Sequence, residues 1–371
     1  MYQINSIKNN REEFIYSLKH GSPYKPLSVK IKLTWNCNLS CVMCNSTRQM
    51  RGTELGYKRV LGLVQELSEM GCKKIHFSGG EPLLWDGLFT VSEYARQKKH
   101  IKVNLTTNGT LLDRDMAKKA IHSRFKTMSI SLDSPDESIH DSIRGTGNWR
   151  KTIEGVKNLV KEKELAESGT KIRFNIVVSK LNYKSLYKLP ELASYLGIDY
   201  LLLIPVDDHL GMDLKLNYDE IVEYNTEIGP ALDEKGNKYN LWEWPDQAFP
   251  FGKTFSSLEF SSKGLYAMGI YEKIPCFAPW LHSFISPRGR VFLCCMTKNV
   301  GVLGKIKKKN FKEIWEGDIY KHARHIMLRN RFPECFSCDS FLRENIQISR
   351  YLCHSNPYSM NVQQPDCPGN A

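Results

Sequence analysis

Apolar residues along this chain follow two spacings in turn, one typical of strands and one typical of helices. Residues 29–35 alternate apolar and polar side chains as a half-buried strand does, whereas 200–206 is apolar almost throughout, as in a sheet buried on both faces. Strands that alternate with helices predict a parallel sheet with crossover helices, and six such units predict an α/β fold, a partial (β/α)6 TIM-like barrel. The predicted strands are 29–35, 73–78, 102–107, 127–133, 171–178 and 200–206, and the predicted helices lie near 57–70, 87–98, 113–122, 149–167, 184–196 and 218–230.

The same pattern divides the chain into five predicted parts. A helix and a connector precede the barrel, and a stretch without clear periodicity, rich in Trp, Phe and Tyr, follows it. These aromatic side chains either wedge two domains together or form a wall of a substrate pocket. The parts are an N-terminal extension (1–27), the barrel (28–232), an aromatic-rich linker (233–275), a small hairpin-plus-helix domain (276–345) and a C-terminal tail (346–371).

Three closely spaced cysteines, Cys37, Cys41 and Cys44, follow the first predicted strand. Barrel and open α/β enzymes carry their chemistry at the carboxyl ends of their strands. Three thiolates can ligate three irons of a cubane cluster and leave the fourth iron open to bind and polarise a ligand, which the usual runs of four cysteine ligands do not. The spacing therefore predicts a reactive metal site at this end of the sheet.

A second set of cysteines is spread over the C-terminal part of the chain. A β-hairpin is predicted there, with its turn at 287–289 and its return strand at 291–293, and a helix follows at 310–315. Four thiolates from a hairpin and a C-x2-C pair complete a tetrahedral site, and by themselves they suit zinc as well as an iron–sulfur cluster. The candidate ligands are Cys276, Cys294, Cys335 and Cys338, with Cys295 as an alternative to Cys294.

Composition narrows the class of protein. The chain has 371 residues, is 41% hydrophobic, and contains no apolar stretch near the roughly 18 residues that a membrane span needs. The first residues also lack the apolar region of a signal peptide, so we expect a cytoplasmic protein without a membrane partner. In that compartment eleven cysteines indicate metal ligands rather than disulfides.

The net charge of +12 has several readings. A basic surface attracts nucleic acid, a phosphorylated sugar or an acidic carrier protein. The lysines are scattered apart from a run at 305–309, and no RNA-binding motif accompanies them, which argues against nucleic acid. A solvated surface or a small anionic substrate fits the charge better.

Three motifs, in order along the chain, resemble those of the radical S-adenosylmethionine (radical SAM) superfamily. The C-x3-C-x2-C spacing resembles its cluster signature, Gly79-Gly80-Glu81-Pro82 resembles its GGEP motif, and residues 106–109 read TTNG as in many members. The resemblance covers about residues 27–232. Met43 stands before the third cysteine, where the family often has an aromatic residue that packs near the adenine, and Met can make similar, softer contacts.

The second cysteine set resembles the auxiliary-cluster domain of the same superfamily. Its shortened form is called twitch, and its full form, SPASM, has further cysteines; Glu344 stands where the next one is expected. The resemblance thus implies one auxiliary 4Fe–4S cluster rather than zinc. Such a cluster either relays an electron away from the substrate or returns one to it.

The resemblance also implies the reaction and its cofactors. S-adenosylmethionine chelates the open iron of a 4Fe–4S cluster, an external donor such as flavodoxin or ferredoxin supplies an electron, and a 5′-deoxyadenosyl radical abstracts hydrogen from a substrate carbon. Cys295 is a candidate hydrogen donor, although a thiol that packs in the hairpin against the opposite face is the simpler explanation. The residues expected to bind the cofactor are Gly79, Gly80, Glu81, Pro82, Asn108, Ser131, Asp133, Arg144 and Asn175.

For the substrate we expect a small polar, anionic molecule such as a sugar, cyclitol or sugar nucleotide, which would be oxidised (dehydrogenated) or epimerised. The first 27 residues leave no room for the leader-binding domain that many peptide-modifying members carry. A peptide-modifying maturase, an epimerase or cross-linking enzyme, is the alternative. A non-catalytic iron–sulfur or zinc binding module is an alternative of another class, and the GGEP and TTNG segments argue against it.

Overall fold

A computed structural model describes residues 4–44 and 52–354 of the chain. Its strands form one nine-stranded sheet with the order β6-β5-β4-β3-β2-β1-β7-β8-β9. Neighbouring strands from β6 to β7 run parallel, and β8 and β9 are antiparallel to the strands beside them. The strands are β1 (Ser28–Lys32), β2 (Lys74–Ser78), β3 (Lys102–Thr107), β4 (Thr127–Ser131), β5 (Lys171–Val178), β6 (Tyr200–Pro205), β7 (His282–Ile285), β8 (Arg290–Phe292) and β9 (Gly304–Lys305).

Helices connect and cover these strands. Short 3₁₀ segments occupy Pro82–Leu84, Tyr183–Lys188, Met296–Asn299 and Pro333–Cys335, and π-helical turns occupy Tyr94–Lys98 and Tyr224–Ile228. The α-helices are α1 (Asn5–Lys8), α2 (Arg11–His20), α3 (Tyr57–Glu69), α4 (Leu88–Glu93), α5 (Arg114–His122), α6 (Glu137–Arg144), α7 (Asn148–Leu165), α8 (Leu189–Tyr195), α9 (Tyr218–Glu223), α10 (Gly229–Lys238), α11 (Phe255–Ser262), α12 (Ile270–Lys273), α13 (Ala278–Leu281), α14 (Phe311–Glu316), α15 (Asp318–Arg329) and α16 (Leu342–His354).

The alternation along the strands separates the core from the barrel interior. In β1, Val29 and Ile31 are fully buried on one face, while Lys30 and Lys32 lie on the other. The same two-residue period runs through all of β5, where every second residue is fully buried. Because successive side chains point to opposite faces, the apolar face packs in the core and the polar face lines the interior. The predicted partial barrel of six parallel strands is confirmed.

Several helices were not predicted, among them α11, α12, α13 and α15, and three further differences concern the site and the boundaries. α6 was not predicted, because its eight residues offer only two aliphatic positions to a periodicity argument. α10 continues to Lys238, beyond the expected end of the barrel at 232. α16 crosses the expected start of the tail at 346 and buries Ile348 and Leu352. The remaining tail residues lie outside the described part of the chain.

The C-terminal domain is joined to the barrel through the sheet itself. β7 pairs in parallel with β1, from Ser28 opposite His282 onward, so the hairpin of β7 and β8 continues the barrel sheet. The N-terminal helix α2 packs across this junction, where the indole of Trp280 donates to the carbonyl of Ser17 at 3.1 Å. Hydrogen-bonded strands therefore hold the two predicted domains in a defined arrangement.

Within the residues that the structure describes, no helix is both long and apolar enough to cross a membrane. The aromatic residues of the expected linker are divided between two environments. Phe251 and Tyr271 are fully buried, as a wedge between domains requires. Tyr266 is also buried, donates from its hydroxyl to the Val206 carbonyl at 3.1 Å, and borders the main cavity described below. Residues of this segment thus both pack in the core and border the cavity, and the two readings stay predictions.

Candidate active site

A cavity of about 730 Å³ opens at the carboxyl ends of the barrel strands. All three N-terminal cysteines line it, together with Gly79 and Gly80. The other predicted cofactor-binding residues that line it are Asn108, Ser131 and Arg144, whereas Glu81, Pro82, Asp133 and Asn175 lie outside its lining. The cavity also has walls from β7, β8 and the C-terminal loop.

The GGEP segment lies directly against the backbone that leads into the cysteine loop. The amide of Gly80 donates to the Thr34 carbonyl and the amide of Glu81 to the Asn36 carbonyl, both at 2.7 Å. A Cβ on Gly79 would lie 2.8 Å from the Thr34 oxygen, and one on Gly80 would clash with the Asn36 carbonyl. Glycine is needed here because the two backbones touch, and the contact places Cys37 at the cavity wall.

Glu81 holds the ends of two strands together. Its carboxylate is fully buried and accepts from the amides of Leu83 (3.0 Å) and Asn108 (2.8 Å) and from the Thr107 hydroxyl (2.6 Å). Burial raises the pKa of Glu81 to about 6, although these hydrogen bonds oppose the rise. Three protein donors thus use most of its acceptor capacity and hold the two loops in place, and its contact with a cofactor stays a prediction.

Asn108 organises the surroundings of Cys37. Its side-chain amide donates to Asn38 Oδ1 at 2.9 Å and lies 4.0 Å from the Cys37 sulfur, and its own oxygen accepts from the Thr110 hydroxyl at 2.7 Å. The TTNG motif therefore positions a cysteine as well as bordering the cavity.

A buried ion pair supports Cys41. Arg144 Nε donates to Asp133 Oδ2 at 2.6 Å, and Arg144 Nη1 lies 3.8 Å from the Cys41 sulfur. Asp133 is fully buried and its other oxygen accepts from the Val177 amide at 2.9 Å. Because α6 supplies Arg144 and its Ile143 carbonyl accepts from the amide of Val42, this unpredicted helix anchors the cysteine loop.

The site also contains polar atoms that suit the expected cofactor. Ser78 Oγ and Trp35 Nε1 belong to residues that line the cavity, and both atoms are buried without a hydrogen-bond partner among the described residues. Asn175 Oδ1 is likewise buried and unpaired, but its residue lies outside the lining. Leaving a buried polar group unpaired costs about 1–3 kcal/mol, and a ligand with amino, carboxylate and hydroxyl groups removes that cost. Burial also raises the pKa of Cys41 to about 11, so a bound cation is needed to keep this thiolate at neutral pH. These residues fit a thiolate-held cluster with S-adenosylmethionine.

The second cysteine set converges on an enclosed cavity of about 20 Å³. Cys276, Cys294, Cys335 and Cys338 all line it, while Cys295 does not. Burial raises the pKa of Cys335 to about 12. The placement favours Cys294 over Cys295 as a ligand, and the ligand assignment itself remains our prediction.

Asn345 on α16 organises this second site. Its amide lies 3.5 Å from the Cys276 sulfur and donates to the Tyr271 hydroxyl at 2.9 Å, and its oxygen accepts from the Phe277 amide at 3.0 Å. The sequence analysis did not predict a role for Asn345, because it placed a domain boundary at 345, within α16. The sequence signal that could have indicated this helix is the four-residue spacing of the apolar residues Ile348 and Leu352.

Over residues 4–44 and 52–354, no three His, Cys, Asp or Glu side chains converge closely enough to hold a single metal ion. A tetrahedral zinc would need four sulfurs at about 2.3 Å from one point. Both sites have thiol donors, which iron–sulfur centres use.

An open thiolate site at the strand ends of a partial barrel, beside an enclosed one, defines a metalloenzyme with two centres. The family model of the radical SAM superfamily matches residues 31–174, and that of the SPASM iron–sulfur cluster-binding domain matches residues 276–339. The chain belongs to the radical SAM superfamily and carries a SPASM/twitch auxiliary-cluster domain. Its cofactors are therefore S-adenosylmethionine, a 4Fe–4S cluster and an auxiliary iron–sulfur cluster.

Curated relatives align along most of the chain. The AdoMet-dependent heme synthase of Methanosarcina barkeri is 27% identical over 81% of this chain and 85% of its own length. The mycofactocin maturase MftC of Mycolicibacterium smegmatis is 24% identical over 85% of this chain and 76% of its own length. The names of these two relatives state different reactions, since one is a heme synthase and the other a maturase.

Solved structures share the fold. Streptococcus suis SuiB bound to S-adenosylmethionine is 19% identical and superposes with a TM-score of 0.64 over 91% of this chain and 76% of its own. The enzyme anSMEcpe with bound AdoMet gives a TM-score of 0.63 over 85% of this chain and 87% of its own, at 19% identity. At these identities the likeness supports the architecture alone.

Proposed function

We propose that this protein is a peptide-modifying radical SAM maturase that abstracts hydrogen from a residue of a peptide substrate. The observation that carries the proposal is the similarity to a mycofactocin maturase across 85% of the chain. The heme synthase aligns over a similar length, so the same framework also serves a non-peptide reaction. None of the relatives reported above supports the sugar, cyclitol or sugar-nucleotide substrate expected from the sequence.

The cavity has the form that such a reaction needs. It extends from the three N-terminal cysteines to Ser337 and Asp339, which flank Cys338 of the auxiliary site. A substrate segment can therefore lie between the two centres. Exposed Lys298 and Asn299 border the cavity, so it is accessible from solvent to an extended chain.

Cys37, Cys41 and Cys44 would hold the cluster that binds S-adenosylmethionine, which, when bound and reduced, supplies a 5′-deoxyadenosyl radical for hydrogen abstraction. The chain's own residues orient and shield that reaction. Ser78 offers an unpaired polar atom to the cofactor, and Gly79 and Gly80 allow it to approach the backbone. Predicted contacts from Ser131 and Arg144 complete the polar side.

Apolar side chains keep water from the reacting carbon. Leu39 and Met43 line the cavity on the cysteine loop, and Ile204, Pro205 and Val206 line it at the end of β6. Water exclusion matters because a primary carbon radical reacts with any accessible hydrogen donor. The position of Met43 agrees with the packing role expected for it.

For the auxiliary site we propose electron transfer. Four protein thiols line its cavity, so a cluster held by all four would keep no open iron for a substrate. The electrons would pass between this site and the substrate cavity through the segment of Met296, which lines both cavities. An external flavodoxin or ferredoxin remains the proposed reductant.

Cys295 remains a proposed hydrogen donor with a clear test. Its side chain is half-buried and lies between the cavity-lining Met296 and the auxiliary ligand Cys294 in sequence. A Cys295→Ala variant that still makes 5′-deoxyadenosine but loses a redox-neutral product would support the role. An unchanged product and rate would exclude it.

The proposed function is tested with the reconstituted protein under anaerobic conditions. Dithionite-reduced enzyme is incubated with S-adenosylmethionine and either a randomised dodecapeptide library or UDP-glucose, and 5′-deoxyadenosine and substrate masses are measured. We expect the peptides to raise the yield and to lose two hydrogens or to take up deuterium from D₂O. Stimulation by UDP-glucose alone would replace the proposal with the sugar-nucleotide reading. No 5′-deoxyadenosine under any condition would indicate a non-catalytic module.

A further inference from the structure

Charge in the main cavity is unevenly balanced. Its acidic side chains have partners: Asp207 pairs with His209 at 2.6 Å, and Asp339 accepts from the Ser340 hydroxyl at 2.9 Å. Each of these two carboxylates therefore already has a polar partner within the protein.

Three basic side chains that line the same cavity have no acidic partner in the part of the chain that the structure describes. Arg288, Arg290 and Lys298 line the cavity, and none of them forms an ion pair with any residue in the described ranges. Lys32 lines it as well, with its ammonium 4.7 Å above the Trp35 ring. Together, the three unpaired groups form what we call the basic wall, namely Arg288, Arg290 and Lys298.

The backbone fixes two members of the basic wall. In the turn between β7 and β8, the Gly289 amide donates to the Ser286 carbonyl at 2.8 Å and the Ser286 amide to the Arg290 carbonyl at 3.0 Å. Gly289 has φ +73°, a conformation that glycine adopts without strain. The turn therefore presents Arg288 and Arg290 from a rigid support, which lowers the entropy lost when they bind a ligand.

The face beneath the basic wall is apolar. Phe292 lies two residues after Arg290 and thus on the same face of β8, and its ring centroid is 5.9 Å from that of Phe284 on β7. Both rings line the cavity. An apolar floor with basic groups at its rim suits a ligand whose body is apolar or neutral and whose periphery carries negative charge.

The barrel interior below the cavity is also positive. Burial, followed by the charges of Lys30, Lys74 and Arg173, lowers the pKa of His76 well below its usual range. Glu243 lies 3.6 Å from Arg173 and offsets part of this charge. Positive groups in a cavity with low-dielectric walls concentrate their field and attract anions.

We propose that the basic wall binds carboxylates of the substrate, and that the modified peptide carries acidic residues next to its reacting residue. This inference rests on the proposed function, because the same wall would bind the carboxylates of a small molecule. Guanidinium groups bind carboxylates through two parallel hydrogen bonds, which add directional specificity to the charge attraction. The wall thus determines which peptide segment is placed between the two centres.

Fluorescence anisotropy tests the proposal on the reconstituted holoenzyme, with S-adenosylmethionine and without reductant, so that no turnover occurs. The probes are Gly-Glu-Glu-Glu-Gly and Gly-Gln-Gln-Gln-Gly, each with the same neutral dye. We expect wild type to bind the glutamate peptide at least about tenfold more tightly, which is the effect of a single charge-assisted contact. Equal affinity for the two peptides would overturn the proposal.

Matched variants separate the basic wall from the general basic character of the protein. Arg288→Gln/Arg290→Gln/Lys298→Gln should bring the preference for glutamate to within about twofold, because each substitution removes one charge-assisted contact. Lys305→Gln/Lys308→Gln/Lys309→Gln removes the same number of charges from residues outside the cavity lining and should keep the preference. An equal loss in this control would mean non-specific attraction and would overturn the proposal.

Two further measurements guard against misfolding. Arg288→Lys/Arg290→Lys/Lys298→Arg keeps the charges and should restore most of the preference for glutamate. Iron content and the thermal unfolding midpoint of each variant should match wild type. The glutamine variant of the wall is uninformative if it loses iron, and the charge-keeping variant is then used instead. If that variant is folded and loaded with iron but does not prefer the glutamate peptide, the proposal is contradicted.

Citrate separates this inference from the proposed function. Displacement of the glutamate peptide from wild type by citrate, at equal carboxylate concentration, would show that the wall binds carboxylates of any source. If, in addition, no peptide is modified under reducing conditions, the peptide-maturase proposal fails while the carboxylate-binding role of the wall stands. If peptides are modified without any dependence on acidic residues, the function stands and the basic wall is not the specificity element.

Discussion

The two cysteine sites of this protein are built in contrasting ways. The N-terminal cysteines are half-buried around a cavity of about 730 Å³, and they belong to one short loop. Three of the four auxiliary cysteines are buried, and the set encloses about 20 Å³. An open site can admit a cofactor and a substrate, whereas an enclosed one can only exchange electrons with its surroundings. Accessibility, more than the donor set, distinguishes the roles of the two centres.

The supports of the two sites differ in the same way. Asn108 reaches the Cys37 sulfur from a strand end beside the cavity, with partners that are exposed. Asn345 reaches the Cys276 sulfur from inside the packed junction of α16 and the hairpin domain, and it is fully buried. The open site is therefore supported by local loops, and the enclosed site by the fold of the whole C-terminal region.

Removal of the open site should have the largest effect. In Cys37→Ala/Cys41→Ala/Cys44→Ala we expect formation of 5′-deoxyadenosine to disappear, because no cluster remains to bind the cofactor. Iron should fall from about eight to about four per chain, the numbers for two cubane clusters and one. Anaerobic iron and sulfide quantitation with EPR measures this. A loss of all iron would show that the two sites depend on each other, against the contrast drawn above.

Removal of one cysteine of the enclosed site should mainly lower the free energy of unfolding. Cys338→Ala should lower the free energy of unfolding by roughly 3 kcal/mol, because the energy of ligand binding at such a site is also folding energy. Urea unfolding of the reconstituted protein measures it, with Cys72→Ala, another buried thiol outside both sites, as the control. A stability loss no larger than that of the control would argue against Cys338 as a ligand.

The two asparagines provide a smaller, matched test. Asn345→Ala leaves the buried amide of Phe277 without its acceptor and should cost about 2 kcal/mol, whereas Asn108→Ala exposes its partners to water and should cost about 1 kcal/mol. Urea midpoints of both variants give the comparison. The reverse order would mean that the open site depends more on its packing than the enclosed one.

The last effect concerns pH. Burial, together with the nearby charge of Lys30, lowers the pKa of His282 on β7 to about 3, below its unfolded value near 6.5. Between these values the unfolded chain binds the proton and the folded one does not, so stability falls as pH falls from about 6.5 towards 3. The slope from this group is at most about 1.4 kcal/mol per pH unit.

His282→Gln removes this titration and keeps a partner for the Ser28 hydroxyl, which is 2.9 Å from the imidazole. Urea midpoints at pH 7 and pH 5 should therefore differ less in the variant than in wild type. The same difference in both proteins would show that His282 takes up its proton without unfolding.

The amino-acid sequence by itself determined the barrel strands, the open cysteine site and the candidate auxiliary ligands as a set. Those features are local: alternation along five to eight residues, a C-x3-C-x2-C run and a glycine pair that must touch another backbone. The domain boundaries stay predictions: α10 and α16 run across the predicted positions, because no local signal marks where a helix ends relative to a domain.

Only the tertiary structure decided how distant residues meet. β7 pairs with β1 across more than half of the chain, α6 brings Arg144 to Asp133 and Cys41, and Asn345 reaches Cys276. The basic wall likewise depends on a hairpin turn that faces the open cysteine site. A sequence records the chemistry of each side chain and the period of each segment, but the contacts between segments follow from which apolar faces bury each other, and that is settled only when the whole chain packs.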